Sequence, residues 1–179
     1  MPEEIEVPTE HLHEHMEHHA HESGEKWVMG VALSSALLAA FAAMSALLAG
    51  HHANEAMIER IKSSDQWAFY QAKGIKSAVL DMKIEMMRAQ HRAISPKDEE
   101  KVKQYKEDQE RIKKEAENDA EASEAHLNHH VILARAVTFF QVAIAVGAIA
   151  ALTRKRAFWF VSMGFGGVGV VFFVMGLLG

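Results

Sequence analysis

The chain has no cysteine. That excludes disulfides and thiolate-held metals, and it leaves the redox compartment unread. Proline is scarce as well. Two of the three fall in the first eight residues and the third is Pro96, so long stretches run without a strong helix breaker. Charge is missing locally: residues 27–50, 131–152 and 157–179 are nearly free of it, while most of the 19 Lys and Arg lie between residues 51 and 130. Net charge is −5, and no basic patch or nucleic-acid module is present, which argues against DNA or RNA as a partner. The start lacks the basic n-region of a secretory signal. Residues 1–26 carry eight Glu and one Lys, so the first apolar run is expected to stay as an anchor.

What is present follows from those gaps. Each uncharged run is 22 to 24 residues long, enough to cross a hydrocarbon core of ~30 Å, which takes about 20 residues as helix. The sequence predicts an all-α integral membrane protein with three transmembrane helices and a long antiparallel coiled-coil helical hairpin between spans 1 and 2. The expected segments are a His/Glu-rich tail (1–26), span 1 (27–50), the hairpin (51–130, turn at 94–97), span 2 (131–152) and span 3 (157–179).

In the tail, Thr9 suits an N-cap and Ser23-Gly24 a stop, which predicts a short helix over 10–22. Span 1 is rich in Ala and Ser, whose small side chains let helices approach closely in lipid. From Met57 the outgoing arm carries a 3/4-spaced stripe through Ile61, Ser64, Ala68, Ala72, Ile75, Val79, Met82, Met86 and Ala89 to Ala93, with one stutter between Ala68 and Ala72. It reads as the seam of a coiled coil. Ser95, Pro96, Asp98 and Glu99 make a well-formed helix start. The return arm repeats the spacing at Val102, Tyr105, Gln109, Ile112, Ala116, Ala120, Ser123 and Leu127. Trp67, Phe69, Tyr70, Ile58 and Leu80 add apolar faces that one return helix cannot cover, so outgoing helices of neighbouring subunits are expected to pack together. In span 3, Gly164, Gly166, Gly167 and Gly169 read as close helix packing; no strand precedes them, as a nucleotide loop requires.

Three constellations could carry chemistry. The tail interleaves His11, His13, His15, His18, His19 and His21 with glutamates. On a helix, His11, His15, His18 and His19 are spaced to offer paired imidazoles to Zn, Cu or Ni, and such side chains change charge near pH ~6.5; the plain alternative is a polar low-complexity tail. At the hairpin base, His51, His52, Glu55, His126, His129 and His130 could form a four-ligand site for a divalent transition metal such as Zn, or could simply be amphipathic residues at an interface. The Glu-x-x-His order of di-metal bundles is not met. Within the spans lies a polar set, Ser34, Ser35, Ser45, Thr138, Gln141 and Arg135, of which Gln141 and Arg135 could line a path or join helices. No nucleophile–base–acid set is evident, so no enzyme and no certain cofactor is expected.

The stretches VPTEHLHEHMEHHAHESGEKW, LLAGHHANEAM and SSDQWAFYQAKGIK resemble a bacterial family catalogued as domain of unknown function 4337. The resemblance implies a small bacterial membrane protein, singles out His51, His52, Asn54, Glu55 and Asp65 to Tyr70, and implies no activity. The expected setting is the bacterial inner membrane, with the lipid bilayer and further copies of the chain as partners and the hairpin as a contact for another protein. The basic turn at 153–156 places itself and the tail in the cytoplasm and the hairpin outside. Two functional readings stand: a non-enzymatic homo-oligomeric scaffold or structural membrane component, or an ion channel or metal- or pH-responsive membrane protein using the histidines.

Overall fold

A computed structural model describes residues 26–178. The tail, with its expected helix over 10–22 and its six histidines, lies outside the described residues. The described chain is all-helical: α1 spans Lys26–Ala89, α2 spans Pro96–Thr153 and α3 spans Arg156–Leu178. Each contains a segment long and apolar enough to cross a membrane. Among the described residues the helices divide into two units, one of residues 26–53 and 127–178 and one of residues 54–126.

The first unit packs the start of α1, the end of α2 and all of α3. Its core is Leu38, Ala42, Ala49, Leu133, Ala136, Phe140, Ala143, Ile144 and Phe173, with Phe41 against Phe140 and Phe173 at 5.9 Å. Small residues set the approach of α3. A Cβ added to Gly166, Gly169 or Gly176 would lie 2.8, 2.7 or 2.6 Å from Leu38, Phe140 or Leu133. Gly164 and Gly167 face open space, so only part of the glycine cluster read as packing is packed. Hydroxyls satisfy themselves on backbone carbonyls, as apolar surroundings demand: Ser162 Oγ donates to Ala143 O at 2.6 Å and Ser45 Oγ to Phe41 O at 2.7 Å. Trp159 Nε1 donates to Ser34 Oγ, and the Arg156 guanidinium lies over the Trp27 ring. Between α2 and α3 the backbone turns through Arg154 at φ 53°.

The second unit is an antiparallel helical hairpin. Its register is marked by successive pairs: Ser123 Oγ donates to Ala56 O at 2.8 Å, Ser63 Oγ to Ala116 O at 2.9 Å, Lys73 meets Asp108 at 2.6 Å, and Lys83 meets Asp98 at 2.6 Å. On the return arm, Val102, Ile112, Ala116 and Ser123 are buried, on the stripe expected from spacing. On the outgoing arm the expected stripe is wrong. Met57, Ile61, Ile75, Val79, Met82 and Met86 keep 55–66% of their surface exposed. The residues that face the return arm are Ala56, Ser63, Tyr70, Ser77 and Ile84, seven apart, of which only Tyr70 is not fully buried. The reason is steric and polar together. Small residues let the backbones close until serine hydroxyls reach carbonyls across the seam, whereas Met and Ile in that position would hold the helices apart. Polar Gln109 fits the same interface: its Nε2 donates to Tyr70 O above Gly74, where a Cβ would come within 2.7 Å of it.

The tip also differs from expectation. The outgoing helix ends at Ala89, four residues before Ala93. Arg92 N–H donates to Met87 O at 2.9 Å and His91 N–H to Arg88 O at 3.1 Å, with His91 at φ 54°. This is a Schellman stop with histidine in the left-handed position usually held by glycine. The turn therefore begins at Gln90 rather than residue 94. The return helix starts at Pro96 with Asp98 and Glu99 in its first turn, where carboxylates favour the helix dipole.

Candidate functional site

The residues most suggestive of chemistry are the histidines that flank the two apolar segments. Within the first unit, α1 carries His51 and His52 and α2 carries His129 and His130. The His52 and His129 rings stack at 4.9 Å with an interplanar angle of 18°, and His51 lies beside His52 at 5.6 Å. His130 Nδ1 sits 2.9 Å from Ala49 O. A carbonyl only accepts, so Nδ1 carries the proton in that contact and Nε2 of a neutral His130 keeps its lone pair. His129 Nδ1 is buried and makes no hydrogen bond. Imidazole lone pairs lie in the ring plane, so two rings stacked almost parallel aim their nitrogens along separate planes rather than at one point. The pair is built for packing and hydrogen bonding more than for chelation.

Glu55 and His126 belong to the hairpin unit, and both are half-buried there. Among the described residues, no three His, Cys, Asp or Glu side chains are grouped to hold a metal ion. His11, His15, His18 and His19 lie outside the described residues. Gln141 is half-buried on α2, and Arg135 is exposed. Of the polar set within the spans, Ser35 and Ser45 enter the first unit's interior; Ser162, which spacing did not single out, is buried with them. Ser35 Oγ is buried without a hydrogen-bond partner and, with Ser162 Oγ, faces the bare Cα of Gly147: a Cβ there would lie 3.0 and 3.3 Å from the two oxygens. Such small polar contacts are typical of helices that pack closely in an apolar medium.

Charge in the hairpin is organised around Asp108. Lys73 hydrogen-bonds it, Arg111 approaches at 3.3 Å, and the Lys73 ammonium lies 5.0 Å from the Tyr105 ring. The hydrogen bond from Lys73, then that from Arg111, holds the Asp108 carboxyl below its ordinary value; Asp108 in turn raises Arg111. Lys62 is raised by the hydrogen bond it donates to Glu59. Two solvent-open grooves of about 540 and 420 Å³ border the hairpin seam near its tip. Charged side chains line both, and Ile75 and Val79 edge the second.

Residues 27–179 match the family described as domain of unknown function (DUF4337). The chain belongs to this family. No curated protein and no solved structure matches it. The match begins after the His/Glu-rich stretch, so the tail is not part of what defines membership. Of the positions that the resemblance singled out, His51 and His52 contribute the ring contacts above, Gln66, Trp67 and Tyr70 are half-buried toward the hairpin seam, and Asp65 and Phe69 are exposed. Trp67 and Tyr70 meet edge to face at 5.4 Å. DUF4337 membership assigns no reaction, and the geometry adds none.

Proposed function

We propose that this DUF4337 protein is a non-enzymatic integral membrane protein that assembles with copies of itself and serves as a scaffold or structural component of the bacterial inner membrane. The observation that carries the reading is the distribution of exposed apolar side chains. In the first unit, Leu33, Leu37, Leu47, Phe160, Val171 and Leu178 are exposed, as lipid-facing residues are. In the hairpin, the uncharged stripe from Met57 to Met86 is exposed on a helix otherwise suited to water, a feature that marks protein contact. By connectivity, three spans put the tail and the 153–156 turn on one side and the hairpin on the other. The basic turn Arg154, Lys155 and Arg156 favours the cytoplasm for its side, leaving the hairpin external.

The competing reading, an ion channel or a metal- or pH-responsive protein, rests on the His52–His129 pair and the orphaned His129 nitrogen. Reconstitution separates the two. Protein in sealed liposomes should give no flux of K⁺, Zn²⁺ or H⁺ above empty vesicles, at pH 5.5 and at pH 7.5. Flux abolished by His129→Ala would replace the scaffold with a conduit. For orientation, a reporter fused after Gly179 should be active only outside the cytoplasm; activity only inside would invert the assignment.

A further inference from the structure

The outgoing helix of the hairpin carries two stripes, one of residues seven apart and one 3/4-spaced, and only the first is used. Ala56, Ser63, Tyr70, Ser77 and Ile84 face the return arm. One residue round the helix, the bulkier and wholly uncharged stripe faces away from it and stays exposed. We propose that this outer stripe, from Met57 to Met86, is the seam of a parallel, in-register helix pair formed with a second copy of the chain. The proposal rests on the membrane homo-oligomer reading above and gives it a surface, a register and a direction.

Three observations select a second copy as the occupant. First, the spacing is that of a coiled-coil seam, in which a and d residues of one helix seat against those of another. A two-fold pair sets each residue against its own counterpart. Ile61, Ile75, Val79, Met82 and Met86 tolerate such self-apposition, because no layer brings like charges together. The single stutter falls between Ala68 and Ala72, where small side chains absorb the local change in winding.

Second, the flanks match in charge. Arg60 and Asp65 border the stripe on its two sides and form no ion pair among the described residues. They are five residues apart, the offset at which flanking positions of parallel helices meet across a coiled-coil seam, so each would meet its opposite from the other copy. Toward the tip, the next flanking cation, Lys76, is exposed and by the same offset would face the neutral Gln71 of the other copy, and Lys83 beyond it is already neutralised by Asp98.

Third, the stripe is long. Thirty residues of helix give a seam about 45 Å long and about 10 Å wide. That is a footprint of about 450 Å² on each copy, or about 900 Å² in total, most of the ~1,000 Å² that a specific interface needs; contacts between the spans of the same two copies would add to it. The parallel direction is the one in which Arg60 and Asp65 of the two copies meet across the seam.

The absence of native cysteine makes the test clean. Single substitutions Ile75→Cys, Val79→Cys and Met82→Cys are introduced into the full chain, with Lys103→Cys on the return arm as control, and membranes are treated with a mild oxidant. In a parallel in-register seam, each residue and its counterpart bring their Cα atoms to about 6 Å, within disulfide range. All three variants should therefore give a homodimer band at least tenfold stronger than the control. Cross-linking only between a chain carrying Ile61→Cys and one carrying Met82→Cys would show an antiparallel seam and overturn the proposed register. Cross-links to a band of other than twice the chain mass would give the stripe to a different protein and overturn the second copy. If none of the three cross-links while Ala40→Cys in span 1 does, the homo-oligomer stands and the stripe proposal falls. If no position cross-links and the protein is monomeric in lipid, both fall.

Discussion

Gly169→Ala isolates the packing of α3 from every other effect in the chain. The new Cβ would lie 2.7 Å from Cδ1 and Cε1 of Phe140 and 3.2 Å from its Cγ. Carbon atoms rest at about 3.5–4.0 Å, so the ring would have to retreat by nearly 1 Å. Phe140 has nowhere to go: it is fully buried, and Phe41 stacks against it at 5.9 Å. Inserting a methyl into such a core costs about 1–3 kcal/mol, offset by up to about 1 kcal/mol from the better helix propensity of alanine. Gly167→Ala and Gly164→Ala meet nothing within 4 Å and keep only the gain. The two classes should therefore differ by about 1–3 kcal/mol, with Gly169→Ala destabilised and the controls neutral or slightly stabilised. Purified variants in mixed micelles can be unfolded by titrating a denaturing detergent while following tryptophan fluorescence, since Trp159 packs against Gly30 and Ser34 of the same unit. If Gly167→Ala proves as harmful as Gly169→Ala, α3 is rotated from the face described, and the reasoning fails.

Three further outcomes follow from the hairpin. Ser63→Ala removes a buried hydrogen bond to Ala116 O and should cost about 1 kcal/mol, whereas Ser77→Ala removes a buried hydroxyl without a partner and should stabilise by a similar amount. Hydrogen exchange of the hairpin amides should be about fivefold faster in the first and slower than wild type in the second. At the tip, His91→Gly should stabilise by up to about 1 kcal/mol and His91→Val should destabilise, because φ 54° suits glycine and strains a β-branched residue; circular-dichroism melts of the pair decide it. The Asp108 carboxyl is held below its ordinary value of 3.8, so its contribution is complete above about pH 3.8 and is lost as pH falls through the lower folded value. Asp108→Asn should flatten the acid limb of hairpin stability below about pH 4, and an unchanged acid limb would exclude this carboxyl as its source.

Much of the architecture was legible because it rests on long-range composition. Three uncharged runs and a single mid-chain proline suffice to place three long helices and the restart at Pro96. The outgoing face of the hairpin was misread for a physical reason. Counting apolar residues assumes that the most apolar stripe is the buried one, yet here the tighter interface is made by Ala56, Ser63 and Ser77. The seven-residue recurrence of Ala56, Ser63, Tyr70, Ser77 and Ile84 was visible, but small polar residues carry little weight in a hydrophobic count. The early stop at Ala89 was hidden because histidine, not glycine, takes the left-handed position at residue 91. Around the candidate site, the nearness of His52 to His129 could be inferred from an antiparallel pairing. Their stacked geometry could not, since ring orientation depends on side-chain packing that spacing does not encode. The Ser35–Gly147–Ser162 contact was likewise beyond a one-dimensional reading, because it joins three separate helical segments.

The central claim, a membrane protein that assembles with itself, is tested most directly by the mass of the intact protein held in lipid nanodiscs. The chain weighs 19.9 kDa. Native mass spectrometry of protein released from the discs should show a fixed integer multiple of that mass, two or greater, with lipid retained and no change on dilution through the micromolar range. A species of 19.9 kDa alone at every concentration would contradict the account.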